Sequence, residues 1–174
     1  GVLNSARGAG ATWTAGNLAR YLAMHNYKTC IADMSSTGAV KMMKLKNIDI
    51  YAEDFNVEEL KSKYNVTVID FGTPIEVSPD GTNFKLMSQY KPETIQCFIN
   101  CDIKLIMGFS ETWNIQKINY FFINDTWKSL FDNSYLFIIA GNPERVKKLF
   151  PEGNFYSRED DYREHILEAL RKDE

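Results

Sequence analysis

The sequence predicts an α/β fold in which a mostly parallel sheet is covered by helices on both faces. Short apolar runs of strand length alternate with segments of helical period along the chain. The runs at 66–71 (VTVIDF) and 135–140 (YLFIIA) are rich in apolar and β-branched residues, which is typical of parallel strands buried on both sides. With 174 residues and 44% apolar side chains, the chain is long enough to bury such a core. We expect a single domain over residues 1–174.

The individual elements follow from the same patterns. Apolar residues at helical spacing predict helices over 12–25, 57–64, 92–100, 111–122, 144–149 and 159–172. Apolar runs predict strands at 2–3, 28–34, 66–71, 102–109 and 135–140, and shorter strands at 47–51 and 154–156. Residues 73–92 form the longest irregular stretch, and a short helix over 84–90 is one interpretation of its second half.

A glycine-rich turn between the first strand and the first helix is the most informative stretch. Residues 4–18 read NSARGAGATWTAGNL, with three glycines within nine residues. Glycines let backbone N–H groups approach an anion, and the helix that follows adds the positive end of its dipole. The P-loop pattern G-x-x-x-x-G-K-[ST] also requires a lysine, but the residue between Gly10 and Thr12 is Ala11. The sequence therefore predicts a phosphate cradle that lacks its lysine.

Two of the predicted strands end at an aspartate, Asp33 in one and Asp70 in the other. The carboxyl ends of parallel strands are where α/β sheets bind ligands. An apolar strand that ends in Asp is also the layout in which the carboxylate organises Mg²⁺, usually through water. With the hydroxyl of Thr12, the two aspartates make a candidate metal site. The alternative is that Thr12 only begins a helix and that the aspartates hydrogen-bond their own loops.

The order of these parts resembles the MinD/ParA-like P-loop ATPases, whose loop reads K-G-G-x-G-K-T-T. With residues 17–19 (NLA) aligned to that family's N-L-A, Thr12 falls on the Mg²⁺-binding threonine and Ala11 on the phosphate lysine. Ala6 falls on the signature lysine, which reaches across a dimer to the partner's nucleotide. The resemblance implies a phosphate-binding loop made of Arg7, Gly8, Ala9, Gly10, Ala11, Thr12 and Trp13.

The resemblance assigns roles outside the loop as well. It implies that Thr12, Asp33 and Asp70 hold Mg²⁺, and that Asn142, just after strand 135–140, reads adenine. ATP or ADP with Mg²⁺ is therefore the implied ligand. A looser likeness is to a Firmicute-type set of such bacterial proteins, which have G-x-G-x-T-[TH] loops without lysine and a D-F-G after the third strand. This sequence has both traits, as GAGATW and DFG.

The absence of both lysines decides which functions we expect. A P-loop lysine offsets the charge on the β and γ phosphates and follows it into the transition state. The first hypothesis is a degenerate nucleotide-binding or pseudo-ATPase module that acts as a scaffold or regulator in a cytoplasmic assembly. The alternative is an active ATPase in which Arg7 or a partner's residue supplies the charge and nucleotide drives dimerisation. A receiver-like or flavodoxin-like domain is the third interpretation. Trp13 either fills part of the phosphate site or packs under the loop, and packing is favoured.

The amino-acid composition restricts the kinds of partner that we expect the protein to bind. The net charge of −3 argues against non-specific nucleic-acid binding, so we expect a protein partner or a homodimer. No apolar run approaches the ~18 residues that span a bilayer, and no signal peptide is visible. Because the chain begins at Gly1 with a short first strand, we expect a truncated N-terminus. The three cysteines are interpreted as small buried residues in a reducing compartment. These features predict a cytoplasmic protein and leave open a peripheral place in a membrane-associated assembly.

Overall fold

The structure is a computed structural model that describes residues 1–52, 54–128, 135–159 and 162–172. Its main element is a seven-stranded sheet in which every pair of neighbouring strands is parallel. The strands are β1 (Val2–Asn4), β2 (Thr29–Asp33), β3 (Asp49–Tyr51), β4 (Val66–Gly72), β7 (Lys104–Phe109), β8 (Tyr135–Ala140) and β9 (Phe155–Ser157). A separate antiparallel hairpin contains β5 (Ile75–Val77) and β6 (Phe84–Leu86).

The strand order of the main sheet is β3-β2-β4-β1-β7-β8-β9. Strand β1 is therefore central, and it lies between β4, which contains Asp70, and β7, which begins at Lys104. In the flavodoxin-like order, 2-1-3-4-5, the first strand is the neighbour of the second. Here β4 separates β1 from β2, so the receiver-like interpretation is wrong and the predicted P-loop-type α/β architecture is confirmed.

Helices cover both faces of the sheet, as predicted. They are α1 (Ala11–Met24), α2 (Val57–Lys63), α3 (Pro92–Ile99), α4 (Thr112–Ile123), α5 (Asp125–Lys128), α6 (Pro143–Lys147) and α7 (Tyr162–Lys172), with a 3-10 turn at Ala39–Met43. Successive strand residues point to opposite faces. Val2 and Leu105 thus join one core with α1 and α7, whereas Leu3 and Ile106 join the other with α3 and α4.

Aromatic side chains dominate the core beneath α4. Phe98, Phe121 and Phe137 are fully buried there, and the rings of Phe121 and Phe137 meet edge to face with centroids 6.1 Å apart. The indole of Trp127 donates to the hydroxyl of Tyr120 at 3.1 Å, which gives both buried polar atoms a partner. This layer fixes β7 and β8 against the helices and keeps their carboxyl ends at one edge of the sheet.

The helix considered for residues 84–90 is not present, and a hairpin strand takes its place. Strand β6 pairs antiparallel with β5, and Ile75 and Val77 are buried. The turn between the strands is closed by Asp80, whose carboxylate accepts hydrogen bonds from Ser78 Oγ and the Thr82 amide. The stretch SPDGTN is therefore a turn with local side-chain bonds, a signal that the helical interpretation overlooked.

The sequence also led us to expect three unpaired cysteines and no membrane-spanning segment. Cys30 is buried, Cys97 and Cys101 are partly buried, and all three are free thiols. In the parts of the chain that the structure describes, no group of three His, Cys, Asp or Glu side chains is arranged to hold a metal ion. None of the described helices is both long enough and apolar enough to cross a membrane. The end of the predicted last helix is confirmed at Lys172, whereas 160–161 and 173–174 lie outside the described residues.

Candidate functional site: a phosphate loop beside two buried carboxylates

The loop between β1 and α1 lies at the carboxyl edge of the sheet because β1 is a central parallel strand. Helix α1 begins at Ala11 directly after Gly10, whose φ of 101° is in the left-handed region that favours glycine. The first bond into the helix runs from the Thr14 amide to the Gly10 carbonyl at 2.9 Å. The amides of Thr12 and Trp13 precede that bond, so they belong to the N-terminal donors that an α-helix cannot satisfy internally.

Asn4, which sequence reasoning did not single out, ties the loop together. Its side-chain oxygen accepts a hydrogen bond from the Ala11 amide at 2.9 Å, and its side-chain nitrogen donates to the hydroxyl of Thr73 at 3.2 Å. Asn4 is buried. One side chain therefore fixes the start of α1 and connects it to the segment that follows β4. The signal available from sequence was a polar residue at the end of a central strand.

Asp33 and Asp70 lie side by side at this edge. They are Cα register partners on β2 and β4, and both are buried. Oδ1 of Asp33 accepts from the amide and the hydroxyl of Ser35 at 2.8 and 2.5 Å, and Oδ1 of Asp70 accepts from the Gly72 amide at 2.9 Å. Oδ2 of each aspartate is buried and has no hydrogen-bond partner among the described residues.

Burial is the main cause that raises the pKa of Asp70 from its ordinary 3.8 to about 6, and the nearby charge of Asp33 contributes in the same direction. The nearby Thr12 hydroxyl and the Gly72 amide both lower the pKa of Asp70, because they stabilise its ionised form. Thr12 and Asp33 are thus both close to Asp70. A divalent ion bound by both carboxylates would give each unpartnered oxygen a partner.

The donor set fits Mg²⁺ better than the softer metals. Two carboxylates and one hydroxyl offer only oxygen ligands, and Mg²⁺ in nucleotide sites takes one or two carboxylates with water and phosphate oxygens in the remaining positions. The structure therefore brings together Thr12, Asp33 and Asp70, the three residues that the sequence assigned to a metal. Their role as ligands stays a prediction.

Arg7 and Trp13 do not face the loop amides. Arg7 is exposed, and its guanidinium lies 3.8 Å from the sulfur of Met87 on the side of the hairpin. Trp13 is 53% exposed, so the favoured expectation that it packs under the loop is wrong. It fails because position 13 is on the solvent face of α1, where the Trp13 carbonyl accepts from the Asn17 side chain at 2.8 Å. The phosphate-binding role of both residues stays a prediction.

A different arginine reaches the loop. Arg158 follows β9 directly, and its Nη2 donates to the carbonyl of Ala9, 149 positions earlier. A Cβ at Gly10 would lie 2.6 Å from the same nitrogen, so the guanidinium rests against the glycine backbone. The sequence did predict a last strand over 154–156, and the carboxyl end of a parallel strand reaches the ligand-binding edge. That was the signal from which Arg158 could have been found.

The fold agrees with solved structures of other proteins. No family model and no curated protein sequence matches this chain. One matching structure is a Borrelia burgdorferi B31 protein described as a plasmid partition protein bound to AMPPNP; it is 18% identical, with a TM-score of 0.51, over 99% of this chain and 98% of that chain. A second plasmid partition protein from Borrelia burgdorferi is 15% identical over 98% and 96%, with a TM-score of 0.47. The chain has the P-loop NTPase fold.

In this P-loop fold, Asn142 stands just after β8 and begins α6. Its side-chain oxygen accepts from the Glu144 amide at 3.0 Å, and its own backbone amide donates to Ser110 Oγ at 3.1 Å. The residue is therefore a helix cap. The side-chain nitrogen is the donor available to a ring nitrogen of adenine. The adenine-binding role of Asn142 stays a prediction.

A surface hollow at the other edge of the sheet is not part of the site. It has a volume of about 680 Å³ and is lined at its base by the first residues of β4 and by Gly1 and Ile103. These residues are at the amino ends of the strands, whereas open α/β sheets bind ligands at the carboxyl ends. The smaller hollow, about 220 Å³, lies between Arg7, Met87 and Trp113 and adjoins the loop from the hairpin side.

Proposed function

We propose that this chain is a MinD/ParA-like nucleotide-binding module that hydrolyses ATP poorly or not at all. It acts through protein contacts, as a scaffold or regulator in a larger cytoplasmic assembly. Its partner is another protein or a second copy of the chain rather than nucleic acid. The proposal is supported by a P-loop fold whose loop lacks lysine but keeps Thr12 close to Asp33 and Asp70, the residues that would hold Mg²⁺.

The observation that carries the nucleotide-binding part is the pair of unpartnered carboxylate oxygens on Asp33 and Asp70. Buried polar atoms without partners are rare in folded proteins because each costs free energy. Here two of them lie next to Thr12 at the start of a helix whose N-terminal amides favour anions. A divalent cation would give the two carboxylate oxygens a partner, and a phosphate group would give the amides at the start of α1 an acceptor.

Poor hydrolysis follows from the residue at position 11. Ala11 is fully buried and offers no charge to the β and γ phosphates, and Ala6 is also an alanine. Removing one charge-stabilising group from a transition state typically costs about 3–4 kcal/mol of barrier, which is roughly 10²–10³ in rate. A loop that binds phosphate through amides without a lysine is therefore suited to holding nucleotide and not to cleaving it.

The shared fold supports the nucleotide-binding part of the proposal. The Borrelia burgdorferi protein with the shared fold was crystallised with AMPPNP, an ATP analogue. We extend nucleotide binding from that protein to this chain as a part of the proposal. The adenine would then lie near Asn142, whose side-chain nitrogen can donate to a ring nitrogen.

A second candidate function is an active ATPase whose charge is displaced to Arg7 or to a partner's residue. The observation in its favour is the exposure of Arg7 beside the loop, which leaves its guanidinium able to move toward phosphate or to be met by a second subunit. This function predicts nucleotide-driven dimerisation. Light scattering after size-exclusion chromatography, with and without Mg-ATP, measures it directly.

The deciding experiment combines calorimetry with a phosphate-release assay. The purified chain is titrated with Mg-ATP and Mg-ADP, and turnover is followed for wild type and Asp70→Asn. We expect binding of both nucleotides, weakened in Asp70→Asn, with no turnover above the background of that variant. Magnesium-dependent turnover that Asp70→Asn abolishes would overturn the proposal in favour of an active ATPase. No binding at millimolar nucleotide would reject both.

A further inference from the structure

We propose that Arg158 supplies the positive charge that Ala11 lacks, with its guanidinium binding phosphate oxygens beside the amides at the start of α1. This inference rests on the proposed function, since it names the cation of the same site. In the MinD/ParA-like family that the sequence resembles, the cation is a lysine within the loop. Here it comes from the other end of the chain, after the last strand of the sheet.

The position of the guanidinium is defined by two backbone contacts. Nη2 of Arg158 donates to the carbonyl of Ala9 and lies against Gly10, where even a Cβ would come within 2.6 Å of it. Gly10 is the residue immediately before the first turn of α1. The guanidinium is therefore adjacent to the N-terminal amides that would receive phosphate.

Electrostatics makes this an unfavourable place for a cation unless an anion is present. The N-terminus of a helix carries partial positive charge, so it repels a guanidinium and attracts phosphate. Among residues 1–52, 54–128, 135–159 and 162–172, no carboxylate forms an ion pair with Arg158. An anion bound between Arg158 and the α1 amides converts the repulsion into attraction from both sides.

The donors of Arg158 are only partly used. A guanidinium has five N–H groups in a planar fork, and one contact, to the Ala9 carbonyl, is formed by Nη2. Its Nε is buried and has no hydrogen-bond partner among the described residues. The fork can therefore keep its loop contact and still present donors to phosphate, for which its geometry is well matched.

Arg7 is the competing source of charge, and its contacts differ. It is exposed and its guanidinium lies beside the sulfur of Met87, the residue after β6. Arg158 is half-buried and contacts the loop backbone itself. Less side-chain entropy is lost when a cation already held in place binds an anion, so Arg158 is the better placed of the two.

The test is calorimetry on the full chain with magnesium-free pyrophosphate and with Mg-ADP. The variants are Arg158→Gln, Arg158→Lys, Arg7→Gln and, as a control on the exposed face of α1, Arg20→Gln. Loss of a charge-assisted hydrogen bond is expected to weaken pyrophosphate binding about tenfold or more in Arg158→Gln. Arg158→Lys recovers part of the loss, Arg7→Gln weakens binding less than Arg158→Gln does, and the control Arg20→Gln remains within about twofold of wild type.

The salt dependence of binding separates charge from loop support. If Arg158 contacts phosphate, Arg158→Gln has a shallower decline of affinity with KCl than wild type, because one charge no longer takes part. If Arg158 only holds the Ala9 carbonyl in place, the slope of affinity against KCl is the same in Arg158→Gln as in wild type. Thermal unfolding of each variant shows whether it is folded.

The outcomes distinguish this inference from the proposed function. Wild-type affinity for pyrophosphate in Arg158→Gln overturns the role of Arg158 while nucleotide binding stands. Pyrophosphate binding that depends on Arg158, in a chain that binds no nucleotide, overturns the proposed function and leaves the arginine site. A wild-type chain that binds neither ligand overturns both.

Discussion

Asp33 and Asp70 are Cα register partners at the carboxyl ends of adjacent parallel strands, and each buries one oxygen that has no partner among the described residues. Neither loop hydrogen bonds nor helix capping accounts for these two Oδ2 atoms, because Ser35 and Gly72 engage only Oδ1. Like charges this close favour protonation of one of them unless a cation binds. We therefore expect the stability of the chain to depend on pH, and the proposed Mg²⁺ site predicts that it depends on Mg²⁺ as well.

Asp70→Asn is expected to stabilise the chain at pH 7.5 in the absence of divalent ions. Burial raises the pKa of Asp70 from 3.8 to about 6. Ionisation of Asp70 therefore destabilises the folded state, and the free energy of unfolding falls as the pH rises from about 4 through 6. The full effect corresponds to about 3 kcal/mol. Denaturant unfolding in EDTA measures it.

The stabilisation by Asp70→Asn should disappear below pH 4, where the aspartate is protonated in both states. Asp102→Asn, at an exposed position before β7, is the control and should show no such gain. Equal stability of wild type and Asp70→Asn in EDTA at pH 7.5 would contradict a buried, unpaired charge at this position.

Mg²⁺ should stabilise the wild-type chain strongly at pH 7.5 and weakly at pH 5. A proton competes with the metal for Asp70, whose pKa is about 6, so metal binding weakens below that pH. The measurement is the shift in melting temperature caused by about 5–10 mM MgCl₂, a concentration of the order needed to fill a weak site. Asp70→Asn should show little shift at either pH, and an equal shift in wild type at both pH values would place Mg²⁺ elsewhere.

The sequence was sufficient to predict the convergence of the site but not its long-range contacts. Asp33 and Asp70 could be placed together because parallel strands share one carboxyl edge. The contact of Arg158 with Ala9 could not, since it joins positions 149 apart and no motif marks it. Trp13 was misplaced because helical period alone does not tell which face of α1 the loop covers.

The same contrast holds for the fold. The four long strands carry apolar runs that need burial on both sides, so tertiary structure agrees with the local pattern. In the 73–92 segment the local pattern is compatible with a helix or a strand. The turn closed by Asp80 lets β6 pair with β5, so a hairpin forms instead of a helix. Asn4 was missed because its two partners, Ala11 and Thr73, become neighbours only once β1 lies next to β4.

Gly10→Ala is expected to destabilise the chain more than Gly8→Ala. Both glycines have positive φ, 101° and 78°, so each alanine has a backbone cost of about 1–2 kcal/mol. At Gly8 a Cβ meets nothing within 4 Å, whereas at Gly10 it would collide with Arg158. Gly8→Ala thus serves as a matched control for strain without collision.

A double-mutant cycle of Gly10→Ala with Arg158→Ala isolates the collision. Removing the arginine should recover the excess cost of Gly10→Ala over Gly8→Ala, measured by denaturant unfolding as a coupling energy of about 0.5–3 kcal/mol. Additive effects of the two substitutions would mean that the guanidinium does not rest on the Gly10 backbone in solution.

Ala11→Lys restores the charge that the loop lacks and should raise the affinity for Mg-ATP by about tenfold or more. Because Ala11 is fully buried, the longer side chain must displace its neighbours, at a cost of about 1–3 kcal/mol of stability in the absence of ligand. Calorimetry gives the affinity, and unfolding in the absence of ligand gives the cost.

Ala11→Met is the matched control, since methionine has nearly the length of lysine but no charge. It should show the loss of stability without the gain in affinity. If Ala11→Lys also acquires turnover that Asp70→Asn abolishes, the remaining groups of the site are competent for hydrolysis and the missing lysine alone explains its absence. If Ala11→Lys and Ala11→Met bind Mg-ATP equally, phosphate does not lie over the start of α1, and the loop has lost its function together with its lysine.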